Sequence, residues 1–517
     1  MNESMLSWVK NIRLSPPSLA NNTADVDRLV DALKAELQTD HIRVDHDLMQ
    51  AVPSLIRQCR YHLRCILFED AGQWLLVGLA DGAGDRGVAG VAIDLGTSRV
   101  VLRLVDLAGG TILDETVFDN PQAEVGPDVL TRTHYAGCAE KLTHLQHLIV
   151  DAVNEHTELL CRQCNLRPTD VYLLSVAGNT VMTHLFMGLD PRFIIREPYI
   201  PVVNRPGVQR AADMGIHADA GARIFIFPNI GSYFGGDLIA GVLSSGLHKQ
   251  KETSILVDVG TNAEVVVGNR DWLMACAGAA GPALEGGVSR MGMMAGPGVI
   301  ERVHIDVDTG KWDLKTIDDA PPVGICGSGM IDLAAQLFLA GMLDIRGKLV
   351  ASACAGRLEK ENGLHRLVVI PASASATGEA LTISQADIDS LIRSKAAMYT
   401  ILETITSHVG MGFNDLHTFF IAGTFGSFID PVSAIAIGMI PDLPLSTYRS
   451  LGNSSLEGAT MALLSRNVPA EIDRIRNRIT YMELNVNQDF MNRFSAARFL
   501  PHTDRLLFPS VKILQKG

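Results

Sequence analysis

The chain has 517 residues, 47% of them hydrophobic and 47 of them glycine, enough for about three to four domains of a well-cored α/β protein with many tight turns. A formal net charge of −13, with no block of Lys and Arg to override it, argues against a nucleic-acid binder. No apolar run reaches the ~18 residues that span a bilayer. The opening MNESMLSWVKNIRL lacks a basic segment followed by an apolar one. A cytoplasmic protein that contacts neither membrane nor nucleic acid is expected.

Residues 1–14 read as an N-terminal extension, and residues 15–87 as a small α+β module with its linker. Pro16-Pro17 opens the module, and Thr23 is placed to cap a helix with Val26, Leu29, Val30, Leu33 and Leu37 at helical spacing. A hairpin follows, Leu63 to Phe68 and Trp74 to Leu79, and the glycine-rich Asp81 to Gly87 reads as a linker. Residues 88–253 form a first half. It holds a hairpin, a helix near 137–164, and a strand Val171 to Val176 running into Ala177-Gly178-Asn179-Thr180. Gly235-Gly236-Asp237 then opens a helix to Ser245. Residues 254–477 repeat the plan with larger inserts. Ala275 to Gly287 is too glycine-rich for a helix interior and suits backbone approaching a ligand. A helix is expected from Met330 to Ala340, a surface insertion over 345–380, and a long helix capped by Ser384 and running through Thr406. Strand Thr418 to Ile421 enters Ala422-Gly423-Thr424-Phe425-Gly426-Ser427, and 478–517 returns as a strand, Ile479 to Leu484, with an aromatic-rich tail.

The pattern with most chemical content occurs twice. Val91-Ala92-Ile93-Asp94-Leu95-Gly96-Thr97-Ser98 recurs as Ile255-Leu256-Val257-Asp258-Val259-Gly260-Thr261-Asn262, and a second β-rich run follows each copy. Both read as hairpins whose first strand is buried. Glycine lets the turn backbone approach phosphate oxygens, Thr and the next polar residue add donors, and the Asp can hold Mg2+ through water. An acidic hairpin turn explains one copy. Two copies in matching strand contexts point to a nucleotide clamped between related halves.

Eight cysteines are scattered along the chain, and Cys161-Arg162-Gln163-Cys164 is their one C-x-x-C. No second pair stands at cluster or zinc spacing, so reduced, structural thiols and no iron–sulfur cluster are expected.

The two Asp-x-Gly-Thr hairpins, the two connecting helices and the late Ala-Gly-Thr-x-Gly-Ser loop, in that order, resemble the ASKHA fold over roughly 88–465. That is a duplicated, actin- and hexokinase-like, ribonuclease H-like α/β ATPase core. A narrower likeness lies in Gly178-Asn179-Thr180-Val181-Met182-Thr183-His184-Leu185, in ALEGG (283–287), in GICGSGMID (324–332) and in IAGTFGSFID (421–430). These segments resemble the reductive activators of corrinoid proteins, and the likeness extends over nearly the whole chain. In that family ATP drives reduction of cob(II)alamin to cob(I)alamin on a methyl-transferring corrinoid protein, and a fused iron–sulfur domain supplies the electron. This sequence departs from the pattern, because ferredoxin cysteines stand at neither end. The resemblance implies ATP and Mg2+ as cofactors and a corrinoid protein as partner; the departure leaves either a separate low-potential ferredoxin-type donor or a homologue that has left redox work, and a homodimer is expected.

Carried over motif by motif, Asp94, Gly96, Thr97 and Ser98 form the first phosphate loop. Asp258, Gly260, Thr261 and Asn262 form the second, with Asp94 and Asp258 near Mg2+. Gly423, Thr424 and Gly426 border the adenosine. Asp237 is a candidate for Mg2+ or water positioning and Glu285 for orienting an attacking water, although helix capping and solvation respectively also account for them. Three other readings of the fold stay open. One is a small-molecule kinase, for which Asp237 is the available base. The second is a nucleotide-gated assembly protein. The third is a 2-hydroxyacyl-CoA dehydratase activator with a [4Fe–4S] cluster between subunits.

Overall fold

A computed structural model of the chain describes residues 7–70, 72–84, 87–260, 263–278, 289–306, 309–354, 356–361, 364–423, 429–484 and 488–512. It divides into two compact units, Met1–Ser244 with Ser454–Asn477, and Ser245–Asn453 with Arg478–Gly517. Among the described residues no helix is long and apolar enough to cross a membrane.

The first unit begins with a four-stranded sheet in the order β1-β3-β4-β2, from β1 (Val9–Arg13), β2 (Ile42–Val44), β3 (His62–Asp70) and β4 (Gln73–Asp81). Residues expected to be an extension thus supply an edge strand, antiparallel to β3 with Val9 opposite Ile66. The reason is apolar: Trp8, Val9 and Ile12 are buried, and the Trp8 ring stacks on Phe68 at 4.4 Å. The Trp8 indole also donates to the Ala462 carbonyl at 3.0 Å. Helix Asp25–Leu37 begins at Ala24 without a side-chain cap, while Thr23 Oγ1 donates to Asn21 Oδ1 at 3.2 Å instead. Asp25 and Asp27 in its first turn complement the helix dipole.

The larger sheet of this unit has the order β7-β6-β5-β8-β10-β9, with β5 (Ala89–Leu95), β6 (Arg99–Asp106), β7 (Ile112–Asp119), β8 (Val171–Gly178), β9 (Gly207–Arg210) and β10 (Arg223–Ile226). Strand β5 is central, antiparallel to β6 and parallel to β8. Ala89, Val91, Ile93 and Leu95 share one buried cluster with Leu145, Ile149 and Val153 of helix Ala139–Gln163. Gly90, facing the other way, would bring a Cβ to 3.3 Å of Leu463 in helix Ser454–Leu464. Its residues, placed by sequence in the second half (254–477), belong to the first unit. Arg103 on β6 is almost fully buried and bridges Glu115 at 2.9 Å and Glu457 at 2.6 Å, so a charge lock reinforces the packing.

The second unit repeats the plan. Its main sheet has the order β21-β20-β11-β12-β13-β22, from β11 (Ser254–Val259), β12 (Ala263–Gly268), β13 (Leu273–Gly278), β20 (Thr418–Ala422), β21 (Tyr448–Gly452) and β22 (Ile479–Tyr481). Strand β11 is antiparallel to β12 and parallel to β20, as β5 is to β6 and β8. The duplicated α/β core expected from the sequence is therefore present. The chain between β13 and β20 adds two three-stranded sheets, β14 (Val299–Ile305), β15 (Trp312–Thr316) and β16 (Gly324–Ile325), then β17 (Leu358–Glu361), β18 (Leu364–Ile370) and β19 (Leu381–Ser384). The segment read as a surface insertion thus contains strands, and Leu367 and Val369 bury themselves in the main cluster of the unit.

Ser384 and Asp387 close a reciprocal capping box on helix Gln385–His408. Inside this helix the Lys395 side chain is fully buried, and its Nζ donates to the carbonyl oxygens of Phe499 and, at 2.7 Å, of Pro501. Burial pushes its pKa well below the usual lysine range. Both acceptors lie in the C-terminal segment, so one side chain pins that segment to the helix. Lys395→Ala leaves two buried carbonyls without a donor and should cost roughly 2–4 kcal/mol of stability, read from urea denaturation.

Candidate functional site

In the first unit the site is built where β5 and β8 end side by side. Asp94 lies opposite Ala177 and Leu95 opposite Gly178 in parallel register. The turn after Leu95 is tight: a Cβ on Gly96 would sit 2.2 Å from the Arg99 carbonyl oxygen, so only glycine fits. Two asparagines hold the loop from outside. Asn120 Nδ2 donates to the Gly96 carbonyl at 2.9 Å, and the Asn120 amide donates to the Ser98 carbonyl at 2.8 Å. Asn179 Nδ2 donates to Thr97 Oγ1 at 2.9 Å, while its Oδ1 caps helix Thr180–Phe186 by accepting from the Met182 amide at 2.9 Å. Asn179 thus fixes both the phosphate-loop hydroxyl and a helix N-terminus.

Asp237 enters from helix Gly236–Ser245. The preceding glycine makes this possible: a Cβ on Gly235 would meet the Asn179 Cα at 2.5 Å and the Gly178 carbonyl at 2.8 Å. Its carboxylate accepts from the Leu238 amide at 2.8 Å. Burial first, and then the charge of Asp94, push the Asp237 carboxyl up to about 7, against the pull of its backbone hydrogen bonds. The structure therefore gathers Asp94, Gly96, Thr97, Ser98 and Asp237 in one place.

In the second unit the same arrangement recurs. Asp258 lies opposite Ala422 in parallel register, at the end of β11 and just before Gly260. Gly423 follows Ala422 with φ of +86°, and a Cβ there would stand 2.6 Å from Asp258 Oδ1 and 2.9 Å from the Val259 carbonyl. The glycine predicted to border adenosine is thus packed on the Asp of the phosphate loop. Thr261, Asn262, Glu285, Thr424 and Gly426 lie outside the described residues.

Sequence reasoning gave no role to Asn120, Gly178 or Gly235. A signal for part of this was present, because Ala177-Gly178 and Ala422-Gly423 close the two strands parallel to the two Asp strands. The role of Asn120 had no such mark, since its contact with Gly96 spans 24 residues of chain.

Comparison with known proteins divides the chain into three consecutive regions. The family model described as "C-terminal domain of RACo the ASKHA domain" matches residues 252–512. "RACo middle region" matches 89–250 and "RACo linker region" matches 6–85. The chain belongs to the RACo family, the reductive activators of corrinoid proteins. It is 30% identical over 418 residues to the corrinoid activation enzyme RamQ of Eubacterium limosum, covering 79% of this chain and 70% of that one. It is 25% identical over 423 residues to the [Co(II) methylated amine-specific corrinoid protein] reductase of Methanosarcina barkeri, covering 76% and 73%. A solved structure titled "Reductive activator for corrinoid,iron-sulfur protein" superposes with a TM-score of 0.89 at 36% identity, over 98% of this chain and 81% of that one. The three family regions thus cover the N-terminal module and both core halves.

The raised Asp237 carboxyl has a consequence for stability. Between its unfolded value near 3.8 and its folded value of about 7, the folded protein holds a proton that the unfolded chain releases. Its contribution is therefore present below about pH 4 and is lost as pH rises through 7. Asp237→Asn should remove this slope and raise nucleotide-free stability at pH 7.5 by on the order of 1–2 kcal/mol. Urea denaturation at pH 5 and pH 7.5 checks it; an unchanged pH slope in the variant would refute the assignment.

Proposed function

We propose that this chain binds and hydrolyses ATP with Mg2+ and uses the nucleotide to support reductive reactivation of a corrinoid protein in methyl transfer. The electron comes from a separate low-potential iron–sulfur donor. The observation that carries this reading is the repeated strand pair, an Asp-x-Gly strand beside a strand ending in Ala-Gly, within a chain of the RACo family. The reading extends to a cytoplasmic homodimer.

The residues present suit a magnesium nucleotide. Asp94 and Asp237 are close enough for one negative charge to raise the other's pKa, and a divalent cation relieves that repulsion. Gly96 packs its backbone against the Arg99 carbonyl and Gly423 against Asp258, so both turns stay compact at the strand ends where a phosphate would bind. Bound ATP supplies a γ-phosphate whose loss to water is favourable. Asp94 and Asp258 would hold the cation through water, and Gly96, Thr97, Ser98, Gly260, Thr261 and Asn262 would donate to the phosphates. Gly423, Thr424 and Gly426 would border the adenosine. Asp237, with its raised pKa, would take a proton from the attacking water that Glu285 orients.

The nucleotide need not touch the electron. It need only favour one conformer of the chain, and that differential bounds how far a bound partner is shifted. Burial and then nearby negative charge push the Cys161 thiol up to about 12, which keeps it protonated and suits core packing better than metal ligation.

Anaerobic assays test the reading. The purified chain with ATP, a low-potential donor and a Co(II) corrinoid protein should develop the Co(I) absorption band. Absence of an ATP-dependent band with every corrinoid partner tried would rule it out. Asp258→Ala should reduce hydrolysis by at least a hundredfold, since it removes the carboxylate beside Gly423. Cys161→Ser should leave hydrolysis unchanged, and stoichiometric iron lost in that variant would overturn the cluster-free assignment.

A further inference from the structure

The segment from Asp190 to Pro206 in the first unit is irregular, yet it is held at several points. The Ile200 amide donates to the Phe193 carbonyl at 3.0 Å, Ser232 Oγ donates to the Tyr199 carbonyl, and the Asn229 amide donates to the Asn204 carbonyl at 2.9 Å. Despite this order it presents large apolar groups to solvent. Phe193, Ile200 and Val202 are 57%, 60% and 56% exposed, and the Tyr199 and Tyr233 rings pair at 5.6 Å beside them. A contiguous patch of this kind marks an interaction site, and tyrosine and arginine are the residues that anchor one.

The charge around it departs from that of the chain. The protein as a whole is at −13, yet Arg196 and Arg205 are exposed on this segment. Arg205 Nη2 bonds Asn477 Oδ1, and Arg476 is held by the Asn229 carbonyl at 3.2 Å, close enough to Arg205 to feel its charge. Glu197 and Asp473 offset this only in part. A basic rim on a chain of net negative charge favours a partner surface of acidic character.

The segment is also wired to the phosphate loop. Asn179, which holds Thr97, opens helix Thr180–Phe186. One turn on, His184 is buried with Nδ1 on the Thr180 carbonyl at 2.7 Å and Nε2 accepting from the Val202 amide at 3.1 Å. A backbone amide on Nε2 requires the proton on Nδ1, so this histidine is a neutral two-ended clamp. Thr97 and Val202 are thus connected through two side chains and one helical turn.

We propose that the face formed by Phe193, Tyr199, Ile200, Val202 and Tyr233, rimmed by Arg196, Arg205 and Arg476, docks an acidic-rimmed, apolar-centred surface of the corrinoid protein, and that Asn179 and His184 couple it to the phosphate loop. The assignment rests on the function proposed above. Its test uses the full chain and the Co(II) form of a corrinoid protein that the wild type reduces. Ile200→Asp and Arg205→Glu should each raise the partner concentration for half-maximal Co(I) formation at least tenfold, with partner-free ATP hydrolysis unchanged. Arg205→Lys should restore most of the loss, and added salt should weaken the wild type more than Arg205→Glu. In His184→Gln, with folding checked by thermal melting, the ratio of partner affinities measured with ATP and with ADP should fall toward one.

Unchanged half-maximal concentrations in both surface variants of a chain that reduces its partner would overturn the docking face alone. A wild-type chain that reduces no corrinoid protein would overturn the functional reading and this face with it. A wild-type dimer that Ile200→Asp splits, with partner binding intact, would assign the face to a second copy instead. An ATP-to-ADP ratio unaltered in His184→Gln would overturn the coupling.

Discussion

Both core halves depend on one constraint, the close approach of backbone at the end of a parallel strand pair. In each, a strand carries Asp to its last turn beside a strand that ends in Ala-Gly, and no side chain larger than hydrogen fits between them. At Gly423 a Cβ would collide with the Asp258 carboxylate itself, and at Gly178 with the Leu95 carbonyl at 2.9 Å. The missing Cβ leaves backbone donors and a carboxylate together at a strand terminus, the chemistry a phosphate and its cation need. Packing of the sheets, not the loops themselves, sets this geometry.

The surrounding contacts serve to hold those strand ends still. In the first unit, Leu145, Ile149 and Val153 cover one face of β5, and helix Ser454–Leu464 covers the other. That second helix approaches Gly236–Ser245 so closely that a Cβ on Gly458 would lie 2.4 Å from the Ala240 carbonyl. The helix bearing Asp237 is therefore wedged by small residues on one side and by Gly235 on Asn179 at its start.

Polar side chains then connect this rigid centre outward. Asn120 makes two bonds to the loop, Asn179 makes one to Thr97 and caps the next helix, and His184 in that helix bonds on to Val202. These bonds form a continuous path from Thr97 to Val202, and the link from His184 to the Thr180 carbonyl within it is buried and costly to break.

The sequence by itself determined much of this protein. The repeated apolar run with Asp-x-Gly-Thr marked both hairpins, because buried strands and glycine turns leave local signatures. The helix ending near Gln163 and the Ser384 cap were legible for the same reason, as 3.6-residue spacing and a capping box are written within a few residues. What the tertiary structure alone decided is non-local. Pairing of Val9 with Ile66 turns an apparent extension into a strand, and Arg103 reaching Glu457 assigns Ser454–Asn477 to the first unit. The raised carboxyl of Asp237 needed burial and the charge of Asp94, neither of which spacing encodes. Composition and periodicity report what a residue prefers, whereas a distance between residues hundreds of positions apart exists only once the chain has folded.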